Sequence, residues 1–199
     1  MRQLNDKQLQ KMHHNFKSNY VFIHINKCAG GAIEAALGLK RLHMTAEEYI
    51  NVLGREKWDN TFSFSFVRNP WDKVVSHYHY RVATNQTELG ENSMDFNEWV
   101  RLSYEENDPY YYDQPLMFMP QIQWLTDNEG KIVANHIGRF ENLQLDFDEV
   151  CTKIGVKPPP LPHVRKTVRG NYKEYYNPKT REIIAKWFAQ DIEEFGYSF

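Results

Sequence analysis

A lysine followed by two adjacent glycines forms the first candidate site of this sequence. It lies between a predicted strand and a predicted helix, in the segment Lys27-Cys28-Ala29-Gly30-Gly31-Ala32. Glycines let backbone amides approach an oxyanion closely, a helix N-terminus adds a partial positive charge, and Lys27 adds a full one. In a Walker A loop, by contrast, the lysine follows the last glycine and a serine or threonine follows the lysine. We therefore predict an anion site that differs from a Walker A loop, with a plain strand-to-helix turn as the alternative.

A second basic segment follows the next predicted strand. Arg68 precedes Asn69-Pro70-Trp71-Asp72, and Ser76 lies about 9 Å along the predicted helix from Pro70, at about 1.5 Å per residue. A guanidinium and a hydroxyl at this spacing suit one phosphate, because the planar fork of arginine binds phosphate oxygens bidentately. The alternative is that Arg68 pairs with a neighbouring carboxylate and that Ser76 is a tolerated helix residue.

The elements that must position these residues alternate between strands and helices. Short β-branched and aromatic runs predict strands at residues 20–25 and 61–67 and a third strand within 131–140. Phe62, Phe64 and Phe66 alternate with small polar residues, which is typical of a strand with one buried face. Spacing and end signals predict helices at 32–37, from Pro70 onward, at 114–125, after Asn142 and from Asn177-Pro178 to Gly196. This order favours an α/β fold with a largely parallel sheet.

Two of the predicted helices carry more specific expectations. The apolar residues of the helix from Pro70 recur every three or four positions, so we expect them to be buried and Lys73, Ser76 and His77 to lie off that face. Asn142 is expected to cap the helix that follows it. Residues 84–113 are polar and aromatic without a clear period, and we predict an insertion or lid there. Its tyrosines, Tyr104 and residues 110–112, suit stacking on a sugar or packing within the lid itself.

Length and composition bound the possible functions. The chain has 199 residues, and 24 Lys and Arg against 26 Asp and Glu give a net charge of −2, so we expect one domain, 1–199, and no nucleic-acid partner. No apolar run approaches the roughly 18 residues of a membrane span, and residues 1–19 contain no secretory apolar segment. Cys28 and Cys151 are far apart, which favours reduced thiols over a disulfide framework or a zinc cluster. The expected compartment is the cytoplasm, with no membrane partner.

Four motifs occur in order along the chain. They are Lys27-Cys28-Ala29-Gly30, Arg68-Asn69-Pro70-Trp71-Asp72 with Ser76, Gly138-Arg139-Phe140-Glu141-Asn142-Leu143, and an ending that runs from Tyr176-Asn177-Pro178 to Phe195-Gly196-Tyr197. From about Tyr20 to Phe199 the chain thereby resembles the sulfotransferases that use 3′-phosphoadenosine 5′-phosphosulfate (PAPS), and most of all the branch with the carbohydrate sulfotransferases.

The resemblance implies a P-loop-like, three-layer α/β fold with a central, mainly parallel sheet. It also implies that the loop from Lys27 to Ala32 holds the 5′-phosphosulfate and that Arg68 and Ser76 hold the 3′-phosphate. The loop departs from the family pattern at Gly31 and Ala32, where the family usually has Thr-Ser. The hold on the 5′ end therefore relies on backbone amides rather than on hydroxyl groups.

The catalytic base is expected to be a histidine. His43, in His43-Met44-Thr45-Ala46, is similar to a His-x-Thr-Ala stretch of that branch in which the histidine takes the acceptor's proton. The alternative is a surface histidine before a helix capped by Thr45. His24 is a weaker candidate, since an alternating strand can bury it. The basic residues within 163–173 are interpreted either as binding the nucleotide or an anionic acceptor, or as a solvated basic loop.

The sequence thus predicts a PAPS-dependent sulfotransferase that acts on an acceptor hydroxyl, with a saccharide as the favoured acceptor among small molecules. Lys27 would stabilise the charge that develops on the leaving 5′-phosphate, His43 would take the proton, and no metal is required. Two other classes remain open. An ATP-dependent P-loop kinase conflicts with the absence of Lys-Ser/Thr at the end of the loop, and a non-catalytic nucleotide-binding scaffold is suggested by Gly31 and Ala32.

Overall fold

The three predicted strands pair in chain order into a parallel sheet. In a computed structural model that describes residues 4–16, 19–92, 94–161 and 170–199, the strands are β1 (Tyr20–Ile23), β2 (Phe62–Val67) and β3 (His136–Arg139). β2 lies between β1 and β3 and is parallel to both. The prediction of an α/β fold with a mainly parallel sheet is confirmed.

Helices connect and flank these strands. Those of the described residues are α1 (Asp6–Phe16), α2 (Gly30–Leu37), α3 (Ala46–Leu53), α4 (Arg55–Asp59), α5 (Pro70–Ala83), α6 (Phe96–Val100), α7 (Pro115–Phe118), α8 (Ile122–Leu125), α9 (Leu143–Lys153), α10 (Pro178–Trp187) and α11 (Ala189–Phe195). Short 3-10 turns occur at Gln86–Glu88, Phe140–Asn142 and Tyr172–Tyr175, and a π-helical turn occurs at Arg101–Glu105. Within the described ranges, no helix is both long and apolar enough to span a bilayer.

The chain divides into two compact units. The first comprises Met1–Val67 and Gln121–Arg165, and the second comprises Arg68–Pro120 and Lys166–Phe199. The first unit contains the sheet together with α1 to α4, α8 and α9, whereas the second contains α5 to α7, α10 and α11.

β2 is buried on both faces, so the prediction of a single buried face is wrong. Ser63 and Ser65 are as fully buried as Phe64, because the middle strand of a parallel sheet is covered on either side. Both serine hydroxyls find partners: Ser65 Oγ donates to the Ile23 carbonyl at 2.7 Å, and Ser63 Oγ donates to Asn135 Oδ1 at 2.9 Å. Small polar residues thus fit the centre of the sheet.

The second unit is built around an aromatic core to which the predicted insertion contributes. Phe96, Trp99 and Tyr104, from the 84–113 segment, are all buried in this core. The Tyr104 ring lies 5.3 Å from the Phe118 ring and 6.0 Å from the Phe188 ring, centroid to centroid. This segment therefore supplies part of the packing of its own unit.

Helix α5 begins at Pro70 as predicted, but two of its residues are more buried than the spacing indicates. Asn69 Oδ1 accepts from the Trp71 amide at 3.1 Å and caps the helix. Lys73 and His77, which were expected off the buried face, are almost fully buried. The reason is that other residues pack against a wider face of α5 than its apolar stripe. The His77 ring, for example, lies 5.0 Å from the Phe118 ring.

Three predicted helix features differ in the structure. The helix predicted at 114–125 is two short helices, α7 and α8, because Pro120 and the residue before it cannot continue a helix. The C-terminal helix is interrupted at Phe188, although Asn177 caps its start and Gly196, at φ 63°, ends it as predicted. Asn142 precedes α9, but its side chain makes no capping hydrogen bond.

The close packing of β2 against β3 is testable at Gly138, which lies opposite Phe66. A Cβ on Gly138 would lie 2.5 Å from Phe66 Cε1. We expect Gly138→Ala to lower the free energy of unfolding by about 1 to 3 kcal/mol, because overpacking forces a buried ring out of place. Urea denaturation measures the change. The same substitution should cost less in a Phe66→Leu background, and equal costs in both backgrounds would contradict the contact.

Candidate active site

The loop between β1 and α2 has the backbone shape of an anion-binding turn. Lys27 and Ala29 adopt left-handed conformations, with φ of 66° and 62°, and α2 begins at Gly30, two residues before the predicted start. A left-handed residue followed by helical residues aims successive amides into one concavity. The N-cap residue of α2 is Ala29, whose methyl side chain cannot accept a hydrogen bond from the first turn of the helix.

The residues of the loop differ in what surrounds them. A Cβ on Gly30 would lie 2.0 Å from His24 Nε2, so the His24 ring leaves space for glycine alone at this position. A Cβ on Gly31 would meet only Arg41 Nη2, at 3.0 Å. Ala32 and Cys28 are buried, and Cys28 Sγ donates to Gln121 Oε1 at 3.3 Å.

A buried carboxylate on α2 connects the loop to the segment that carries His43. Glu34 Oε1 lies 2.6 Å from His24 Nδ1 and accepts from the Leu42 amide at 3.3 Å, while Oε2 lies 3.5 Å from Arg41 Nε. Burial raises the pKa of Glu34, but the hydrogen bond and charge of His24 outweigh it, so the net shift is downward. Glu34 is therefore an ionised acceptor, and His24 Nδ1 carries a proton toward it.

His43 is held in the form of a neutral base. Its Nδ1 lies 2.9 Å from the His24 carbonyl oxygen, which can only accept, so Nδ1 carries the proton and Nε2 keeps its lone pair. Burial, followed by the neighbouring His24, lowers the pKa of His43 to about 4. The His24 ring, at 4.2 Å, and the Trp124 ring, at 6.2 Å, pack against it. The alternative of a surface histidine does not describe this partly buried side chain, although Thr45 does cap α3.

In the second unit, Arg68 contacts an acidic residue of α5. Its Nε and Nη2 lie 2.8 Å and 2.7 Å from Asp72 Oδ2, and the Arg68 side chain is almost fully buried. This is the carboxylate pairing that the sequence left open as the alternative. Ser76 is half-buried and follows Asp72 by four residues, which places both on one face of α5. The pairing fixes the guanidinium at the start of the face that carries Ser76.

The comparison with protein families decides the class of this chain. The family model described as "Sulfotransferase family" matches residues 17–198. The chain belongs to the sulfotransferase family. The predicted resemblance is confirmed at this level, as is the P-loop-like α/β fold.

Two further proteins are similar to this sulfotransferase. An uncharacterized protein of Archaeoglobus fulgidus is 32% identical over 109 residues, which are 53% of this chain and 78% of the relative. A crystal structure of a sulfotransferase from Alicyclobacillus acidocaldarius aligns with 88% of this chain and 92% of its own, at 14% identity and a TM-score of 0.49.

The predicted site residues of the sulfotransferase fall into two sets. The first unit contains the Lys27 to Ala32 loop and His43, which the structure links through His24. The second unit contains Arg68 and Ser76. Of the basic stretch at 163–173, residues 163–169 lie outside the described residues. Among the residues that are described, no group of three or more His, Cys, Asp or Glu is arranged to hold a metal ion.

Glu34, which contacts both the strand exit at His24 and the segment before His43, was not predicted from the sequence. The only local signal was a single acidic residue in the otherwise apolar helix GGAIEAAL. An isolated charge among residues that are expected to be buried suggests a buried polar partner, but it does not say which one.

The neutral state of His43 predicts how stability depends on pH. Its pKa is about 4 in the folded sulfotransferase and near 6.5 when exposed, so the unfolded chain binds the extra proton as the pH falls below 6.5. Between pH 7 and pH 4 the wild type should lose on the order of 3 kcal/mol more stability than His43→Gln, which lacks this group. Urea denaturation at several pH values tests this, and parallel curves for the two proteins would refute it.

Proposed function

We propose that this sulfotransferase transfers a sulfuryl group from PAPS to an acceptor hydroxyl, with carbohydrates as the favoured acceptor class. The observation that carries the proposal is the hydrogen bond from His43 to the His24 carbonyl, three residues before Lys27. It joins a neutral base to the strand exit that leads into an anion-binding turn, within a chain whose family transfers sulfuryl groups. A base and a cation at one loop are what sulfuryl transfer needs.

The loop fits the 5′ end of the donor. The left-handed residues Lys27 and Ala29 and the first turn of α2, whose N-cap residue is an alanine, suit an anion such as a phosphosulfate. Lys27 would stabilise the negative charge that grows on the 5′-phosphate as the sulfur–oxygen bond to it breaks. Cys28, Gly30, Gly31 and Ala32 would contribute through the backbone.

Arg68 and Ser76 would hold the 3′-phosphate. The ion pair with Asp72 orients the Arg68 guanidinium, and Ser76 follows Asp72 by about one turn of α5, or about 6 Å at about 1.5 Å per residue. An oriented arginine and a hydroxyl form charge-assisted hydrogen bonds with a phosphate dianion.

His43 would serve as the general base. Its Nε2 would accept the proton of the acceptor hydroxyl while the acceptor oxygen forms the new bond to sulfur. A pKa near 4 keeps His43 unprotonated at neutral pH, so the base is available without a preceding proton loss. We also propose that residues 1–199 are one catalytic domain, that 84–113 is its insertion, and that it works in the cytoplasm without a metal.

A panel of nucleotides separates PAPS chemistry from kinase chemistry. We expect 3′,5′-adenosine bisphosphate, the nucleotide product, to raise the melting temperature more than ADP or ATP with magnesium. At 100 times its dissociation constant, a ligand that binds only the folded state adds roughly 2.7 kcal/mol of stability. Differential scanning fluorimetry gives the ranking. Stabilisation by ATP with magnesium alone would favour a kinase, whereas bisphosphate binding without transfer to any hydroxyl acceptor would favour a scaffold.

Arg68→Ala tests the 3′-phosphate contact. It should weaken binding of the bisphosphate by about 10- to 150-fold, equivalent to roughly 1.5 to 3 kcal/mol for a lost charge-assisted contact. Isothermal titration calorimetry measures the affinity, and Arg101→Ala, at a partly exposed ion-paired arginine of the same unit, is the control.

The double variant Arg68→Ala/Asp72→Asn separates two causes of such a loss. If Arg68 binds the phosphate, the double variant binds as weakly as Arg68→Ala. If it regains wild-type affinity, the loss came from the charge of an unpaired Asp72, and Arg68 does not belong to the site.

A further inference from the structure

We infer that Arg41 binds the 5′-phosphate end of the donor, an assignment that rests on the proposed function. Its guanidinium reaches the first turn of α2, where Nη2 lies 3.0 Å from the position that a Cβ on Gly31 would take. The Arg41 side chain is half-exposed, so solvent and ligands have access to it. Gly31 thus leaves space beside the loop for a cation rather than for a side chain of its own.

Helix α1 holds the backbone at Lys40 and Arg41 in place. Lys11 Nζ, from α1, donates to the Arg41 carbonyl at 3.1 Å. Asn15, also from α1, makes two 2.8 Å hydrogen bonds to the backbone of Lys40. Arg41 Nε donates to Glu34 Oε2 at 3.5 Å. A long side chain that starts from a fixed backbone and has an anchored Nε loses less entropy when its outer nitrogens bind a ligand.

The charges around Arg41 favour an anion between it and the loop. A cation near a helix N-terminus is unfavourable, because the partial charge of the helix end is also positive. Lys27 adds a further positive charge to the same loop, and Glu34 is the carboxylate that contacts Arg41. A phosphate or phosphosulfate at the first turn of α2 would turn these repulsions into attractions, and the planar fork of Arg41 suits its oxygens.

Truncated nucleotides test the assignment one phosphate at a time. Titration calorimetry would compare wild type with Arg41→Ala for 3′,5′-adenosine bisphosphate, adenosine 5′-monophosphate and adenosine 3′-monophosphate. We expect Arg41→Ala to weaken the bisphosphate and the 5′-monophosphate by about tenfold or more, and the 3′-monophosphate by less than about twofold. Arg55→Ala is the matched control, since Arg55 is an equally exposed, ion-paired arginine of the same unit and should change none of the three affinities.

The outcomes separate this inference from the proposed function. If wild type binds the bisphosphate and Arg41→Ala binds all three nucleotides normally, or loses the same factor for each, Arg41 does not contact the 5′-phosphate and the proposed function stands. If wild type binds none of the three, the proposed function and the Arg41 assignment both fail. Arg41→Gln replaces Arg41→Ala if circular dichroism shows that the alanine variant is unfolded, and the same differences are expected of it.

Discussion

The buried carboxylate of Glu34 is the constraint on which the site in the first unit depends. An ionised carboxylate that leaves water loses several kcal/mol of solvation unless hydrogen bonds and opposite charge replace it. His24 at 2.6 Å, the Leu42 amide at 3.3 Å and Arg41 at 3.5 Å replace it here. These partners lie at the exit of β1 and just before His43. Because one carboxylate contacts all three, the exit of β1, the segment just before His43 and the Arg41 side chain are held relative to one another.

Gly30 follows from the same constraint. Since Glu34 holds the His24 ring, that ring occupies the space where a side chain on residue 30 would lie. The two adjacent glycines are therefore explained by different contacts. Gly30 is required by a neighbouring ring, whereas Gly31 has space limited only by the Arg41 guanidinium. Glycine in an anion-binding loop serves packing as well as the approach of the ligand.

Local signals in the sequence were enough for most of the fold, whereas the roles of the site residues stay predictions. Each of these signals spans only a few residues of sequence. The structure contains the predicted strands, the start of α5 at Pro70 and the start of α10 after Asn177. The burial of a side chain depends on which other parts of the chain pack against its helix. The burial of Lys73 and His77 could therefore not be predicted from the apolar spacing of α5 alone. The Glu34–His24 contact joins a strand exit to a helix, and no local pattern specifies such a pair.

Asp72 changes what Arg68 can recognise. The pair carries no net charge, so it attracts anions in general less than a lone guanidinium would, and in the proposed site it would bind chloride or a carboxylate more weakly. The ion pair holds the guanidinium in a fixed orientation, which in the proposed site would favour an anion with several oxygens at the right angles. In the proposed site a phosphate would gain more from this than a halide ion, because it offers several oxygens to the oriented donors. In the proposed site, the ion pair would lower the affinity for anions in general and increase the selectivity for phosphate. Ser76 would add a hydrogen-bond donor that carries no charge of its own.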